Sequence, residues 1–423
     1  MQLLYTCLLY LIQPFVWLRL LLRSRKAPAY RKRWSERYGF CKNKVIPNGI
    51  LVHSVSVGET IASIPLIKEL QIRYPDLPIT VTTMTPTGSA QVKKSLGDSV
   101  SHVYLPYDLP CAINRFLNHV RPKLVIIMET ELWPNFISVL HNRKIPLIIA
   151  NARLSARSAK GYARLGKSIR TLLKKIPMIA VQNKVDGDRF IALGLPPKQL
   201  TITGSIKFDI DLSDEQKQQI TQLKTQWQLN RPVWVVASTH QGEDEIILSA
   251  YQKLLHIHPN LLLILVPRHP ERFKEVEQLI KQRHLNYQLR SQNLIPNEQT
   301  QVILGDTMGE LMVLYSVADV VFIGGSLVNH GGHNPLEPAL HHKAIITGEH
   351  IFNFKVICEQ LEHAHGLKII KNSADDLFHN VNELLTNRAM REQQGENAFT
   401  VLKQNQGALN RLLALIDQFI QAS

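Results

Sequence analysis

The chain has 423 residues, 45% hydrophobic and 20% charged, with a formal net charge of +15. This composition excludes a disordered or low-complexity protein, and the length exceeds what one hydrophobic core supports, so two domains of about 200 residues are expected. The charge is local: residues 1–44 hold ten Lys or Arg against the single acid Glu36, leaving +6 for the rest, which argues against a nucleic-acid-binding surface spread over the molecule.

The chain begins with the uncharged run MQLLYTCLLYLIQPFVWL (1–18), followed at once by the basic RLLLRSRKAPAYRKRW. Its length barely spans a bilayer and Gln13-Pro14 interrupts it, so crossing a membrane, lying in one leaflet, and docking on the protein's own body are three readings it allows. The basic flank favours a cytoplasmic face with anionic lipids. A cleaved signal peptide is disfavoured, because no positive charge precedes the apolar run and no small-residue pattern ends it. Cys7, Cys41, Cys111 and Cys358 form no C-x-x-C pair, which fits free thiols in a reducing compartment rather than disulfides or a thiolate metal site.

From residue 50 onward, short β-branched runs alternate with longer helical patterns. The predicted strands are 49–55, 78–84, 123–129, 146–152, 178–183 and 200–205, a βα succession that implies a parallel sheet covered on both faces. The polar, Gln-rich stretch 211–232 reads as an interdomain linker, after which the same grammar restarts at 233–239, 261–269, 300–306, 319–326 and 343–348. The expected class is therefore α/β: two Rossmann-like, doubly wound domains, 45–210 and 233–423, facing across a cleft behind the apolar and basic segment 1–44. The last helix is a candidate to pack back on the first domain.

Ligands of open α/β sheets bind beyond the carboxyl ends of the strands. In the first domain these ends carry SVSVGET (54–60), METELWP (128–134), NARLSARS (151–158) and GSIKFD (204–209). Glu59 falls in the first turn of a helical pattern, where the dipole favours an acid by about 0.5 kcal/mol and favours its ionised, proton-accepting form. Either Glu129 or Glu131 adds a second carboxylate, and Lys207 arrives from the domain boundary. Arg153 and Arg157 read either as a solvated basic turn or as a grip on an acidic acceptor. Asp209-Ile210-Asp211 has the outline of a metal-binding D-x-D, but it stands at the mouth of the polar stretch and is not assigned.

In the second domain the ends are STHQGE (238–243), PRHPER (267–272), GDTMGEL (305–311) and GGSLVNHGGHNPLEPAL (324–340). Asn334 suits a helix cap, Pro335 its first turn and Glu337 an early position, so free N–H groups would meet a phosphate while Glu337 accepts from ribose hydroxyls. The same four residues read equally well as a capped helix and nothing more. Arg268 adds a cation for an anion. His330 and His333 have H-x-x-H spacing without the carboxylate of H-E-x-x-H, and no metal is assigned to them. The cradles for triphosphate hydrolysis (G-x-x-x-x-G-K-[ST]) and for hydride transfer (G-x-G-x-x-G) are missing; a nucleoside monophosphate needs neither.

HSVSVGET, MTPTGSAQ, METELWPN, ANARLSARS, GSIKFD, PRHPERF, GDTMGEL and GGHNPLEPA stand in the order and context found in the 3-deoxy-D-manno-octulosonic acid (Kdo) transferases of lipopolysaccharide synthesis, which the chain resembles over essentially its whole length. The resemblance implies a GT-B glycosyltransferase at the cytoplasmic face of the inner membrane. It would move Kdo from CMP-Kdo to lipid IVA with inversion and release of CMP, without metal or other cofactor. It implies Glu59 as general base and Glu129 and Lys207 as transition-state stabilisers. CMP contacts would come from Pro267, Arg268, Met308, Gly309, Glu310, Asn334, Pro335, Leu336 and Glu337, with Arg153 and Arg157 as candidate acceptor contacts. The chemistry agrees, since a sugar hydroxyl needs a positioned base at neutral pH. A nucleotide-sugar epimerase and a nonenzymatic membrane- or nucleic-acid-binding protein are the competing classes; the first leaves the apolar segment unused. No motif encodes the number of Kdo residues added or the oligomeric state.

Overall fold

A computed structural model describes residues 2–41 and 44–421; Lys42 of the basic flank lies outside them. The chain forms two units, Met1–Asp209 with Gln406–Ser423, and Ile210–Asn405.

The first unit is built on seven parallel strands: β1 (Ile50–His53), β2 (Ile79–Thr83), β3 (Ser101–Tyr104), β4 (Leu124–Met128), β5 (Leu147–Ala152), β6 (Met178–Val181) and β7 (Leu200–Ile202). Their order is β3-β2-β1-β4-β5-β6-β7. Successive residues of a strand enter opposite cores: Leu51 packs with Val125, Ile127 and Phe136, whereas Ile50 and Val52 pack with Leu66, Ile126 and Leu70. Burial on both faces is why these strands read as unbroken apolar runs.

The second unit repeats the plan with β8 (Val233–Thr239), β9 (Leu262–Pro267), β10 (Tyr287–Leu289), β11 (Val302–Leu304), β12 (Val320–Ile323), β13 (Ala344–Gly348) and β14 (Leu367–Ile370), ordered β10-β11-β9-β8-β12-β13-β14. The strands the sequence reading lacked, β3, β10 and β14, all lie at sheet edges. They are three or four residues long and partly exposed, so their apolar signal is weak.

Two expected boundaries move. The polar stretch 211–232, expected to be a linker, contains the helix Asp214–Trp227, opened by a capping box between Ser213 and Gln216. Its polarity is that of a solvent face, while Leu223 and Trp227 are buried and the helix packs in the second unit against Leu311–Tyr315. The last helix, Ala408–Gln421, packs back on the first unit, as expected, so the second unit ends before 423; it buries Leu412, Leu413 and Ile416 in one of the first unit's two cores. Asp209 holds its start, accepting the N–H groups of Gly407 and Leu409 at 2.5 Å each. The first carboxylate of the D-x-D is thus a helix anchor.

The apolar N-terminus forms two helices, Gln2–Leu11 and Gln13–Lys26, bent by 50° where Pro14 opens the second. Among the described residues no single helix is long and apolar enough to cross a membrane, although the bent pair passes that test together. Gln2 and Thr6 donate to Asn135 at 3.2 and 3.0 Å and Tyr5 donates to Asp108 at 3.1 Å, so one face docks on the first unit. Leu3, Leu4, Leu11 and Phe15 remain 70–79% exposed. The basic flank is partly internal. Arg33 and Lys44 each reach the buried Glu36 carboxylate at 2.8 Å, and the buried Arg37 lies 4.3 Å from the centre of the Tyr104 ring.

If the last helix completes the first core, Leu412→Ala should destabilise that unit by about 2–5 kcal/mol, read as a lower urea midpoint. An unchanged midpoint would remove the helix from the core.

Candidate active site

β1 and β4 are neighbours whose chains leave toward opposite edges of the sheet, which opens a crevice at their carboxyl ends. Two carboxylates rise there. Ser56, in extended conformation, caps the helix Val57–Arg73 by accepting the N–H of Glu59. The Glu59 carboxylate folds back, taking the Val55 N–H at 2.7 Å and the Ser56 hydroxyl at 2.8 Å, and the residue is only 9% exposed. The sequence reading expected the helix dipole to keep this acid readily ionised. The net shift of its pKa is opposite to the dipole's: burial raises it above the ordinary value against the pull of the Val55 and Ser56 hydrogen bonds, and the Glu129 charge adds to the rise. Such a group is a stronger base once ionised.

Glu129 follows β4 directly and sits in the left-handed region at φ 56°, a conformation that costs a non-glycine residue about 1–2 kcal/mol. Its carboxylate accepts from Arg153 Nε at 3.1 Å, and Thr130 ties to the Arg153 backbone. Arg153, expected to hold an acceptor, therefore has a carboxylate partner inside the protein. Arg157 stays apart, exposed on the helix Ala156–Ala163.

Lys207 is placed by Asn151, a buried residue that the motif reading passed over. At φ 55°, Asn151 accepts the Ile206 N–H through its side chain at 3.2 Å and so fixes the single turn Ile206–Phe208. Burial lowers the Lys207 pKa, Glu129 and Glu59 oppose that, and Arg153 reinforces it. Two acids and two bases thus influence one another at one end of the sheet. Glu131, left open as an alternative to Glu129, is a separate group. It accepts from the Trp133 indole at 3.1 Å, and burial, reinforced by the Glu59 charge, pushes it up to about 7.

In the second unit the corresponding crevice lies between β8 and β12. Glu243, fully buried, accepts the N–H groups of His240 (2.8 Å), Gly325 (2.6 Å), Ser326 (3.0 Å) and Leu327 (2.9 Å). This nest of backbone donors, the sort of place a phosphate would occupy, is filled by the protein's own carboxylate. Behind it Asp244 pairs with Arg272 and accepts from Thr239 at 2.6 Å.

The predicted nucleotide contacts lie on the loops after β9, β11 and β12. Pro267 ends β9, and the exposed Arg268 is anchored through its N–H to the Thr239 carbonyl at 3.0 Å. Met308 is exposed, and Gly309 has a left-handed φ of 91° with open space where a Cβ would stand. The Glu310 carboxylate is occupied by Arg290 at 2.8 Å and by the Thr307 hydroxyl. Asn334 accepts the Leu336 N–H at 3.1 Å and donates to Glu337 at 3.3 Å. The expected helix is one turn, Leu336–Leu340, with Pro335 at its cap rather than in its first turn. A full helix dipole is therefore not available to a phosphate here. Burial raises the Glu337 pKa against the Asn334 hydrogen bond and the Arg268 charge. Among the described residues no set of three or more His, Cys, Asp or Glu side chains is arranged to hold a metal ion.

Residues 32–210 match the family model described as 3-Deoxy-D-manno-octulosonic-acid transferase (kdotransferase), and residues 238–401 match glycosyl transferases group 1. A 3-deoxy-D-manno-octulosonic acid transferase from Haemophilus influenzae is 51% identical over 419 residues, covering 99% of this chain and 98% of its own. A solved glycosyltransferase from Rickettsia africae superposes with a TM-score of 0.56 at 14% identity, covering 89% of this chain and 100% of its own. A UDP-GlcNAc 2-epimerase from Neisseria meningitidis does so at 0.54 and 14% identity, covering 86% and 100%. The last two show the two-domain GT-B-like fold, which a transferase and an epimerase share.

Removing the Ser56 hydroxyl deletes a hydrogen bond to the ionised form of Glu59, so the pKa of that acid rises further. Ser56→Ala should move the acid limb of kcat/KM to higher pH and, through loss of the cap, cost about 1 kcal/mol. A limb that stays put or moves down would separate Glu59 from the rate.

Proposed function

Since the chain belongs to the 3-deoxy-D-manno-octulosonic acid transferase family, we propose that it moves Kdo from CMP-Kdo to lipid IVA with inversion at the anomeric carbon, Glu59 being the general base. The observation that carries this reading is the meeting of Glu59, Glu129, Arg153 and Lys207 around the crevice between β1 and β4.

An acceptor hydroxyl gives its proton to the Glu59 carboxylate as its oxygen attacks the anomeric carbon. The bond from that carbon to the CMP phosphate breaks, and its electron pair leaves with the phosphate. Positive charge that develops on the sugar ring is matched by Glu129, while Lys207 matches the sugar's own carboxylate. Arg153 holds the Glu129 carboxylate in place. The donor occupies the second unit, where Arg268 meets its single phosphate and Glu337 the ribose. One phosphate leaving as CMP needs less charge neutralisation than a diphosphate, and the reaction is read as metal-independent.

The acceptor is a lipid, and the exposed apolar face of the N-terminal helix pair suits the first unit to a membrane surface. The exposed Arg19, Arg25 and Lys32 of the flank add attraction to anionic headgroups at the cytoplasmic face. Arg157, exposed and beside the cluster in sequence, is available to an acceptor phosphate. An epimerase would need none of this apolar surface.

Glu59→Gln should reduce transfer from CMP-Kdo to lipid IVA by about 10²–10⁴-fold while leaving CMP affinity unchanged. Normal turnover by this variant would reject Glu59 as the base, and conversion of a nucleotide sugar without any lipid would favour the epimerase. Replacing Leu4, Leu11 and Phe15 together by Ser should release the protein from anionic vesicles in a flotation assay; undiminished flotation would contradict the membrane role of that face.

A further inference from the structure

Four imidazoles gather at the carboxyl ends of β9, β8 and β12, and none has a part in the mechanism above. His240 follows β8, His269 lies two residues beyond β9, and His330 and His333 belong to the loop after β12. The Nε2 atoms of His240 and His333 are 2.9 Å apart. His330 stacks on His240 with ring centres 4.1 Å apart, and His269 meets it edge-on at 5.3 Å. A hydrogen bond between two ring nitrogens contains one proton, so one ring donates and the other accepts. The accepting ring carries its proton on Nδ1 and keeps an N–H for another partner.

Arg268 lies close enough to influence both rings, and Arg272 influences His240. The acids behind this loop are already engaged: Glu243 by four backbone N–H groups and Asp244 by Arg272. Burial first, then the His330 and His269 rings and the two arginines, push His240 down to about 4; burial first, then Arg268 and the other rings, push His333 down to about 3, so both are uncharged at neutral pH. The loop is shaped around them, for a Cβ on Gly325, at φ +69°, would stand 3.2 Å from both rings. Hydrogen-bonding groups kept neutral among cations, with their carboxylates spent elsewhere, suit an oxyanion.

We propose that the His240–His333 pair, together with Arg268, is the seat of the donor's phosphate. The inference rests on reading the second unit as the CMP-Kdo site. It assigns the phosphate to a pair of neutral imidazoles and one guanidinium, in place of the single-turn helix at Leu336 and of the backbone nest that Glu243 fills.

Calorimetric titration of the full-length protein in detergent with CMP and with cytidine tests it, because the two differ only in the phosphate. The unaltered protein should bind CMP at least about tenfold more tightly than cytidine. His333→Asn and His240→Gln should each weaken CMP by about tenfold and leave cytidine unchanged. Equal weakening of both ligands would show a merely structural role and overturn the proposal, as would unchanged CMP affinity in both variants. CMP carries no sugar carboxylate, so a loss seen with CMP belongs to the phosphate. If the unaltered protein fails to bind CMP, the donor reading falls and the proposal with it. If CMP binds and the variants behave as the parent does, only the imidazole pair is rejected. Should His240→Gln fail to fold by thermal melting, His333→Asn alone decides, since its ring is less buried.

Discussion

Glu59 has two neighbours that favour its charge, the Val55 N–H and the Ser56 hydroxyl, and surroundings that oppose it. A general base needs both: ionised often enough to act, and basic enough to take a proton from a sugar hydroxyl. The tight turn after β1 settles this locally, since the same Ser56 that caps the helix also holds the carboxylate. The other groups of the first unit are arranged about that acid. Glu129 raises its proton affinity, Arg153 holds Glu129, and Asn151 sets the turn that carries Lys207.

The second unit solves a different problem with the same topology. Its deepest carboxylates, Glu243 and Asp244, are satisfied by backbone donors and by Arg272, and so act as scaffolding. What the crevice offers a ligand is donors: Arg268, neutral imidazoles and exposed backbone at Gly309.

Much of this was legible in the sequence because parallel strands buried on both faces leave unbroken apolar runs, and their carboxyl ends are where ligand-binding residues collect. Ile50–His53, Leu124–Met128 and Leu262–Pro267 declare themselves in that way, and Glu59, Glu129 and Arg268 follow from them. Edge strands such as Tyr287–Leu289 carry too little apolar signal to be seen. The Asp214–Trp227 helix was mistaken for a linker because only Leu223 and Trp227 of its fourteen residues are buried. Burial also reversed the sign of the dipole argument at Glu59, and no local pattern records burial. Asn151, Glu243 and the pairing of His240 with His333 are long-range contacts, invisible until the sheet order is known.

The central claim is that a buried carboxyl with a raised pKa takes the proton. The most direct measurement is the titration of Glu59 itself, by ¹³C NMR of Glu-labelled protein with its resonance assigned by difference from a Glu59→Gln sample, set beside the pH profile of transfer. The account predicts that Glu59 titrates above the ordinary range of about 4.3, at the pH where transfer loses its acid limb. A midpoint at or below that range, or a limb that falls elsewhere, would contradict it.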